Sequence, residues 1–265
     1  MEANSAVLPG GKWAEEAYEA MAPVYDDFTA HHNYELWLGN LLPILESHGL
    51  SGRRLLDVGC GTGKSFLPML DRGWDVTACD ISASMVELAR AKTGDLARLA
   101  VADMRELPVF GEFDLVWALD DAVNYLLSPG ELGEALSGMA ANLAPGGLLM
   151  FDVNTLECYR TFFAETERVE RGGRRLLWRG QSAPDAQPGC VAEAHLEVER
   201  ADPGAEPVER HTHRQRHFPE AEVLAQIEAA GLECVYRCGH GYDAVPQQPL
   251  EELVHTKAVY ISHLA

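Results

Sequence analysis

Apolar positions in this chain follow two rhythms. Short unbroken runs at 53–58, 75–80, 97–101, 113–119 and 148–153 are bounded by turn residues and read as buried strands. Between them, apolar residues recur every three or four positions, the period of a helix with one buried face. Such segments cover 13–30, 33–48, 83–91 and 129–143. In the second, Tyr34, Leu36, Trp37, Leu41 and Leu45 mark the helical spacing, and Leu50-Ser51-Gly52 ends it. Residues 64–72 predict a short or kinked helix, because Pro68 lacks an N–H donor and crowds the preceding turn. Ser82 is placed to cap helix 83–91, and Ser84 with Glu87 has capping-box spacing. Strands alternating with helices in this way predict an α/β fold with a parallel sheet.

The rhythm changes after Asn154. Residues 174–180, 190–201 and 207–217 have the mixed patterning of half-exposed antiparallel strands, with Asp202-Pro203-Gly204 turning between the last two. Helix 219–230 and strands near 232–238 and 254–262 return to the α/β pattern. The chain therefore divides into an N-terminal helical cap (1–52), an α/β domain (53–156 and 218–265) and a three-stranded antiparallel insertion (157–217).

Composition narrows the class. The 265 residues can bury a large core in one domain, and 47% hydrophobic with 23% charged residues is ordinary for a soluble globular protein. Acidic residues outnumber basic ones 41 to 21, giving a net charge of −20. A field of that sign repels phosphate backbones, so no nucleic acid partner is expected. Met1-Glu2-Ala3-Asn4-Ser5 has no basic leader character, and no stretch nears the ~20 apolar residues a membrane span needs. The cysteines at 60, 79, 158, 190, 234 and 238 form no zinc-ribbon spacing and read as reduced thiols, which fits a cytoplasmic protein without a membrane partner.

Chemistry enters at Leu55-Leu56-Asp57-Val58-Gly59-Cys60-Gly61-Thr62-Gly63-Lys64. A buried strand runs into a glycine turn and then a helix. Glycine permits positive φ and close approach of a ligand, and the helix N-terminus attracts an anionic group. The Gly-x-Gly-x-Gly spacing differs from the Gly-x-Gly-x-x-Gly of dinucleotide sites. Asp57 is placed to receive an ammonium group, so the pocket suits the methionine end of S-adenosylmethionine. A bare strand–turn–helix connection is the competing reading. Asp80 ends the next strand, where a carboxylate can accept two ribose hydroxyls. Asp103 follows the third, where one can accept an adenine amino group. Singly each is a strand-end turn or cap. In order, at the carboxyl ends of successive strands, they outline one ligand.

These residues carry a family resemblance. LLDVGCGTG (55–63), VTACDIS (76–82), VADMREL (101–107), FDLVWALDDAVNYL (113–126) and LAPGGLLMFDV (143–153) resemble the class I S-adenosylmethionine-dependent methyltransferases. More narrowly, the chain is similar to bacterial small-molecule methyltransferases that include amino-sugar N,N-dimethyltransferases, over about residues 15–262. The resemblance implies a Rossmann-like seven-stranded, mostly parallel sheet with the last strand antiparallel. It implies S-adenosyl-L-methionine as cofactor, with Asp57 and the Gly59-Cys60-Gly61 turn at its methionine end and Asp80 at the ribose. Asp103 and the Met104 backbone would hold the adenine, Ile81 and Met85 would flank it, and Leu119 would lie beneath the cofactor. Tyr25 and Trp37 would cover the sulfonium, a contact that cation–π attraction favours. The expected partner is a small-molecule acceptor, the insertion its wall, and the assembly a monomer or homodimer.

Methyl transfer needs an aligned nucleophile and, for a hydroxyl or ammonium acceptor, a base. Candidates are Tyr25, His31, His32, Asp120, Asp121, Asn124, Tyr125 and His213. His213 is preferred as base, central in the last strand of the insertion, with Tyr25 next; His31 and His32 lie on a connection expected to move. Asp120 and Asp121 also read as a plain polar turn. His211, His213 and His217 share a strand face at metal-permitting spacing, but nothing local completes a set and no metal is expected. Arg210, Arg214 and Arg216 would form a solvated face. Two other functions stay open: a macromolecular methyltransferase, and an S-adenosylmethionine-binding protein without transfer. Against an amino-methyltransferase of nucleic acid, Asp120-Asp121-Ala122-Val123 stands where an Asn/Asp-Pro-Pro-aromatic stretch is usual.

Overall fold

The computed structural model describes residues 10–200 and 209–265. The expected Asp202-Pro203-Gly204 turn and the reading of residues 1–5 fall outside the described residues. Seven strands form the main sheet: β1 (Arg54–Val58), β2 (Asp75–Asp80), β3 (Ala97–Val101), β4 (Phe113–Ala118), β5 (Leu143–Asn154), β10 (Leu232–His240) and β11 (Lys257–Leu264). Their order is β10-β11-β5-β4-β1-β2-β3. Only β11 runs antiparallel to its neighbours, pairing Val259 with Asp152 of β5 and with Cys238 of β10. The seven-stranded sheet with its last strand antiparallel is thus as expected.

Helices α1 (Gly10–Met21), α2 (Tyr25–Phe28), α3 (Tyr34–Ser47), α4 (Leu67–Asp71), α5 (Ala83–Thr93), α6 (Pro129–Ala140), α7 (Leu156–Arg160) and α8 (Glu220–Ala229) complete the frame. Side chains of β1 and β4 alternate between two cores. Leu56 and Val116 face one with Leu136 and Ile227; Leu55 and Trp117 face the other with Leu38 and Phe66. Burial on both faces explains why these strands are continuous apolar runs. Among the described residues, no helix is long and apolar enough to cross a membrane.

Four details depart from the sequence expectations. The helix expected over 13–30 breaks at Ala22–Val24, a single 3₁₀ turn around Pro23, before α2. Ser82 does cap α5, its hydroxyl accepting from Met85 N at 3.1 Å, but Ser84 forms no capping box with Glu87. Glu19 of α1 takes Ser84 instead, accepting from its backbone N at 3.0 Å and its hydroxyl at 2.5 Å. These bonds hold the Glu19 carboxyl below its ordinary range. Arg214 and Arg216 are not simply solvated. Arg214 stacks over Trp13 at 4.0 Å, Arg216 lies over Phe218 at 4.8 Å, and each pairs with a glutamate, Glu193 and Glu222.

The fourth departure is the insertion, which has four strands rather than three: β6 (Thr166–Arg171), β7 (Arg174–Gly180), β8 (Val191–Arg200) and β9 (Glu209–Arg216), paired in that order. β6 is an exposed edge strand with little apolar signal. Its hairpin turn, Gly172-Gly173 with both φ positive, was the readable clue. One face of this sheet packs Leu176, Trp178 and Leu196 against Met21, Phe28, Leu156 and Tyr159, closing a third core under α1 and α2.

Candidate active site

The glycine turn after β1 carries out its expected job on the backbone. Gly59, Gly61 and Gly63 have φ of 78°, 52° and 89°, where a side chain is strained. A Cβ on Gly59 would stand 2.9 Å from Ala122 Cβ, and one on Gly61 would project to 3.6 Å from the Tyr25 ring. Gly61 N donates to Asp80 Oδ2 at 2.8 Å, and Ser82 N donates to Asp80 Oδ1 at 2.9 Å. Burial pushes the Asp80 carboxyl up to about 6, against those two backbone donors.

A cavity of about 830 Å³ opens above this turn. Gly59, Cys60, Gly61, Asp80, Ile81, Asp103, Met104, Leu119 and Tyr25 all line it. Three expected contacts do not. Asp57 lies behind the wall, 1% exposed, with Ser65 Oγ donating to its Oδ2 at 2.5 Å. Burial raises its carboxyl to about 7 despite that bond. Met85 points into the core under α5, and Trp37 belongs to a neighbouring cavity, packing on His240 at 5.4 Å. A short strand turns Asp57 inward because its alternate residues must face opposite sides of the sheet. Asp103 reaches the cavity with both oxygens gripped by Arg105, which Glu131 also holds. That ion pair keeps Asp103 below its ordinary value against a burial penalty.

The neighbouring cavity, about 1300 Å³, shares Tyr18, Tyr25, Tyr34, Asp120 and Tyr125 with the first. Its floor is a charge cluster. Asp120 and Asp121 sit just after β4 in the left-handed region, φ 61° and 55°. Aspartate tolerates this conformation better than most residues, yet each such residue costs about 1–3 kcal/mol. Two consecutive N–H groups thereby point at Asp152 on β5. Asp120 N donates to Oδ1 at 2.6 Å and Asp121 N to Oδ2 at 2.9 Å. Lys257, at the start of β11, donates to all three carboxylates, to Asp152 at 3.0 Å and Asp120 at 3.4 Å, with Asp121 nearest.

His32 and Tyr34 close the cluster from the N-terminal segment. His32 Nδ1 lies 2.8 Å from Asp120 Oδ2, and Tyr34 OH donates to the same oxygen at 3.0 Å. Burial would raise Asp120, but the charges of His32 and Lys257 hold it well below the usual carboxylate range. Burial opposes protonation of His32, but the Asp120 charge and hydrogen bond, with the Asp121 charge, together outweigh it, so its pKa is raised. Asp121 lacks such a partner excess and is pushed up to about 6 by burial.

The described family of methyltransferase domains matches residues 55–147. The Bacillus subtilis (strain 168) protein YqeM, described provisionally as a methyltransferase, is 33% identical over 222 residues, covering 82% of this chain and 86% of that protein. The chain belongs to the class I S-adenosylmethionine-dependent methyltransferases. The dTDP-3-amino-3,4,6-trideoxy-alpha-D-glucopyranose N,N-dimethyltransferase of Streptomyces venezuelae is 29% identical over 221 residues, covering 81% of this chain and 91% of the relative. A solved S-adenosylmethionine-dependent methyltransferase from Clostridium acetobutylicum ATCC 824 superposes with a TM-score of 0.76 at 20% identity, covering 94% of this chain and 99% of that one.

The smaller cavity of this methyltransferase fits its cofactor on its own evidence. Side-chain-free positions at 59 and 61 leave the cradle open, and a buried carboxylate already fixed by two N–H donors lines it. Two expected bases do not hold. His213 is 0% exposed, and burial drives its imidazole down to about 3, too acidic a conjugate acid to collect a proton near neutrality. Burial and the nearby Asp120 and Asp121 charges raise Tyr25 well above the ordinary phenol, so it stays protonated. Asn124 is structural, donating to Tyr159 OH and to the Arg216 carbonyl. His217 lies 3.0 Å from Glu252 while His213 meets Tyr125, so these two members of the histidine triplet turn to different partners. Lys257, Asp152 and Tyr34 escaped the sequence reading. Lys257 and Asp152 sit on paired strand ends, a proximity visible only once β11 is known to lie beside β5.

Proposed function

We propose that this methyltransferase transfers a methyl group to the nitrogen of a small-molecule amine, with His32 as base. The carrying observation is the Asp120–Asp121–Asp152–Lys257 cluster under the larger cavity, whose Asp120 also lines the smaller one. Three carboxylates face one lysine and one imidazole, so the cluster attracts a cationic acceptor. The larger cavity is lined by aromatic side chains from α1–α3 and the insertion, a setting suited to a small molecule. The named reaction of the Streptomyces venezuelae relative, N,N-dimethylation, supports nitrogen over oxygen.

Bound S-adenosylmethionine supplies a methyl group already activated by a positive sulfur. The protein's task is alignment and proton removal. The Asp80 carboxylate, held by Gly61 and Ser82, would accept the ribose hydroxyls, and Arg105-bound Asp103 would border the adenine. Asp120 draws in the acceptor ammonium and orients His32 through Nδ1, leaving Nε2 to take the proton. The freed nitrogen lone pair would then be held facing the activated methyl group that the bound cofactor would supply. Tyr25, Tyr34 and Tyr125 remain neutral phenols and exclude water between the cavities.

Release of S-adenosylhomocysteine with a panel of primary amines and their hydroxyl isosteres tests this reading. Turnover with amines alone is expected. Turnover confined to the hydroxyl compounds would overturn it.

A further inference from the structure

The larger cavity also carries information about what is attached to the amine. Lys257 is the one lysine among its described lining residues, and no arginine lines it. Lys257 is already committed to three carboxylates. His32 is held by Asp120, and burial and the His32 charge keep His31 below its ordinary value. A diphosphate needs cationic forks or free backbone N–H groups. Here it would meet the two carboxylates that line the cavity, Asp120 and Asp121, whose charge repels it.

The far end is apolar. Phe28 and Phe162 stack against Trp178, with ring centroids 5.8 and 5.0 Å away, and Met21 and Phe163 complete the box. These rings stack on one another in the third core, and the half-buried Phe162 leaves an apolar surface for a ring face.

Two buried imidazole nitrogens at this cavity have no partner, and their polarities can be assigned. Tyr125 OH lies 2.8 Å from His213 Nδ1. We take the Tyr125 hydroxyl as the donor to Nδ1, because burial keeps that phenol protonated. His213 Nε2 therefore carries hydrogen, and it is buried without an acceptor. His240 is the opposite case. Its Nδ1 sits 2.8 Å from the Gly241 carbonyl oxygen, which can only accept. Nδ1 must donate, so His240 Nε2 is a bare acceptor, also buried without a partner. Each unmade bond carries a desolvation cost that a ligand of matching polarity relieves.

We infer that the acceptor is a phosphate-free amine with an apolar ring face, one oxygen that meets His213 Nε2–H and one hydroxyl or N–H that meets His240 Nε2. The inference rests on the amine reading above and goes beyond it, because it separates this chain from a relative named for a dTDP-linked sugar.

The test is equilibrium binding, which needs no turnover. The S-adenosylhomocysteine-bound protein is titrated by calorimetry with one amino sugar in two forms, an aryl glycoside and a nucleoside-diphosphate conjugate. The glycoside is expected to bind at least ~10-fold tighter. His213→Phe and His240→Phe are each expected to weaken it ~10-fold while leaving S-adenosylhomocysteine affinity unchanged. Equal or reversed preference, no binding of either form, or unchanged glycoside affinity in both variants overturns the inference. Tight glycoside binding followed by methylation of its hydroxyl would refute the amine reading and support this one.

Discussion

Lys257→Met removes the cation around which the cluster is built. Its side chain is 15% exposed and neutralises three carboxylates, one of them wholly buried. Asp120 keeps His32 and Tyr34, and Asp152 keeps two backbone donors. Asp121 keeps only its bond from Gln215 among the side-chain contacts described here, so the loss falls mainly on it. Removing one partner of a buried ion pair costs about 3–5 kcal/mol. At about 2 °C per kcal/mol for a chain of this size, that is a fall in Tm of about 6–10 °C.

The loss should depend on pH. In the wild type Asp121 is already raised to about 6 by burial, with Lys257 opposing the rise. Without Lys257 it rises further, so the folded variant holds a proton that the folded wild type has released. The unfolded chains titrate alike. The stability gap therefore widens as pH increases above 6, by about 1.4 kcal/mol per unit while the extra proton is held. Urea unfolding of both proteins at about pH 6 and about pH 8 reads this directly. A gap below about 1 kcal/mol at both pH values would show that the cluster is not an energetic unit.

Other perturbations separate the remaining parts of the site. Asp80→Ala is expected to weaken S-adenosylmethionine binding by about 2–4 kcal/mol through loss of two charge-assisted bonds. Because Asp80 is raised to about 6, wild-type affinity should climb as pH rises through that value and the variant's should not; calorimetry reads both. His32→Gln should lower kcat ~10²-fold or more and abolish the acidic limb of the pH–rate profile while sparing cofactor affinity; a retained limb places the base elsewhere. Gly59→Ala combines positive φ with a 2.9 Å contact and should destabilise by more than Gly146→Ala, which has the same φ of 78° but open space and should lose about 1 kcal/mol. Equal losses would mean that Ala122 yields freely.

The lining of the smaller cavity was legible because it lies at strand ends. Asp80, Ile81, Asp103 and Met104 each follow a readable apolar run, and a parallel sheet brings such ends together. Asp57 was misread for a local reason: its position in the motif was clear, but strand alternation turns it to Ser65. The acceptor half depends on contacts across long stretches of chain. Lys257 meets Asp120 only because β11 inserts antiparallel beside β5, and no local pattern announces that partner. His32 looked mobile on its connection, yet Asp120 anchors it. His213 does line the larger cavity, but burial among Tyr18, Tyr125 and Trp178 makes it a fixed neutral imidazole. β6 was missed because an exposed edge strand needs little apolar periodicity.

Transfer of a deuterated methyl group from labelled S-adenosylmethionine to an amino-sugar glycoside tests the central claim most directly. Tandem mass spectrometry of the product locates the label. The expected result is deuteromethyl on the acceptor nitrogen. Label on oxygen or carbon, or no transfer by protein that demonstrably binds the methyl donor and the glycoside, would contradict it.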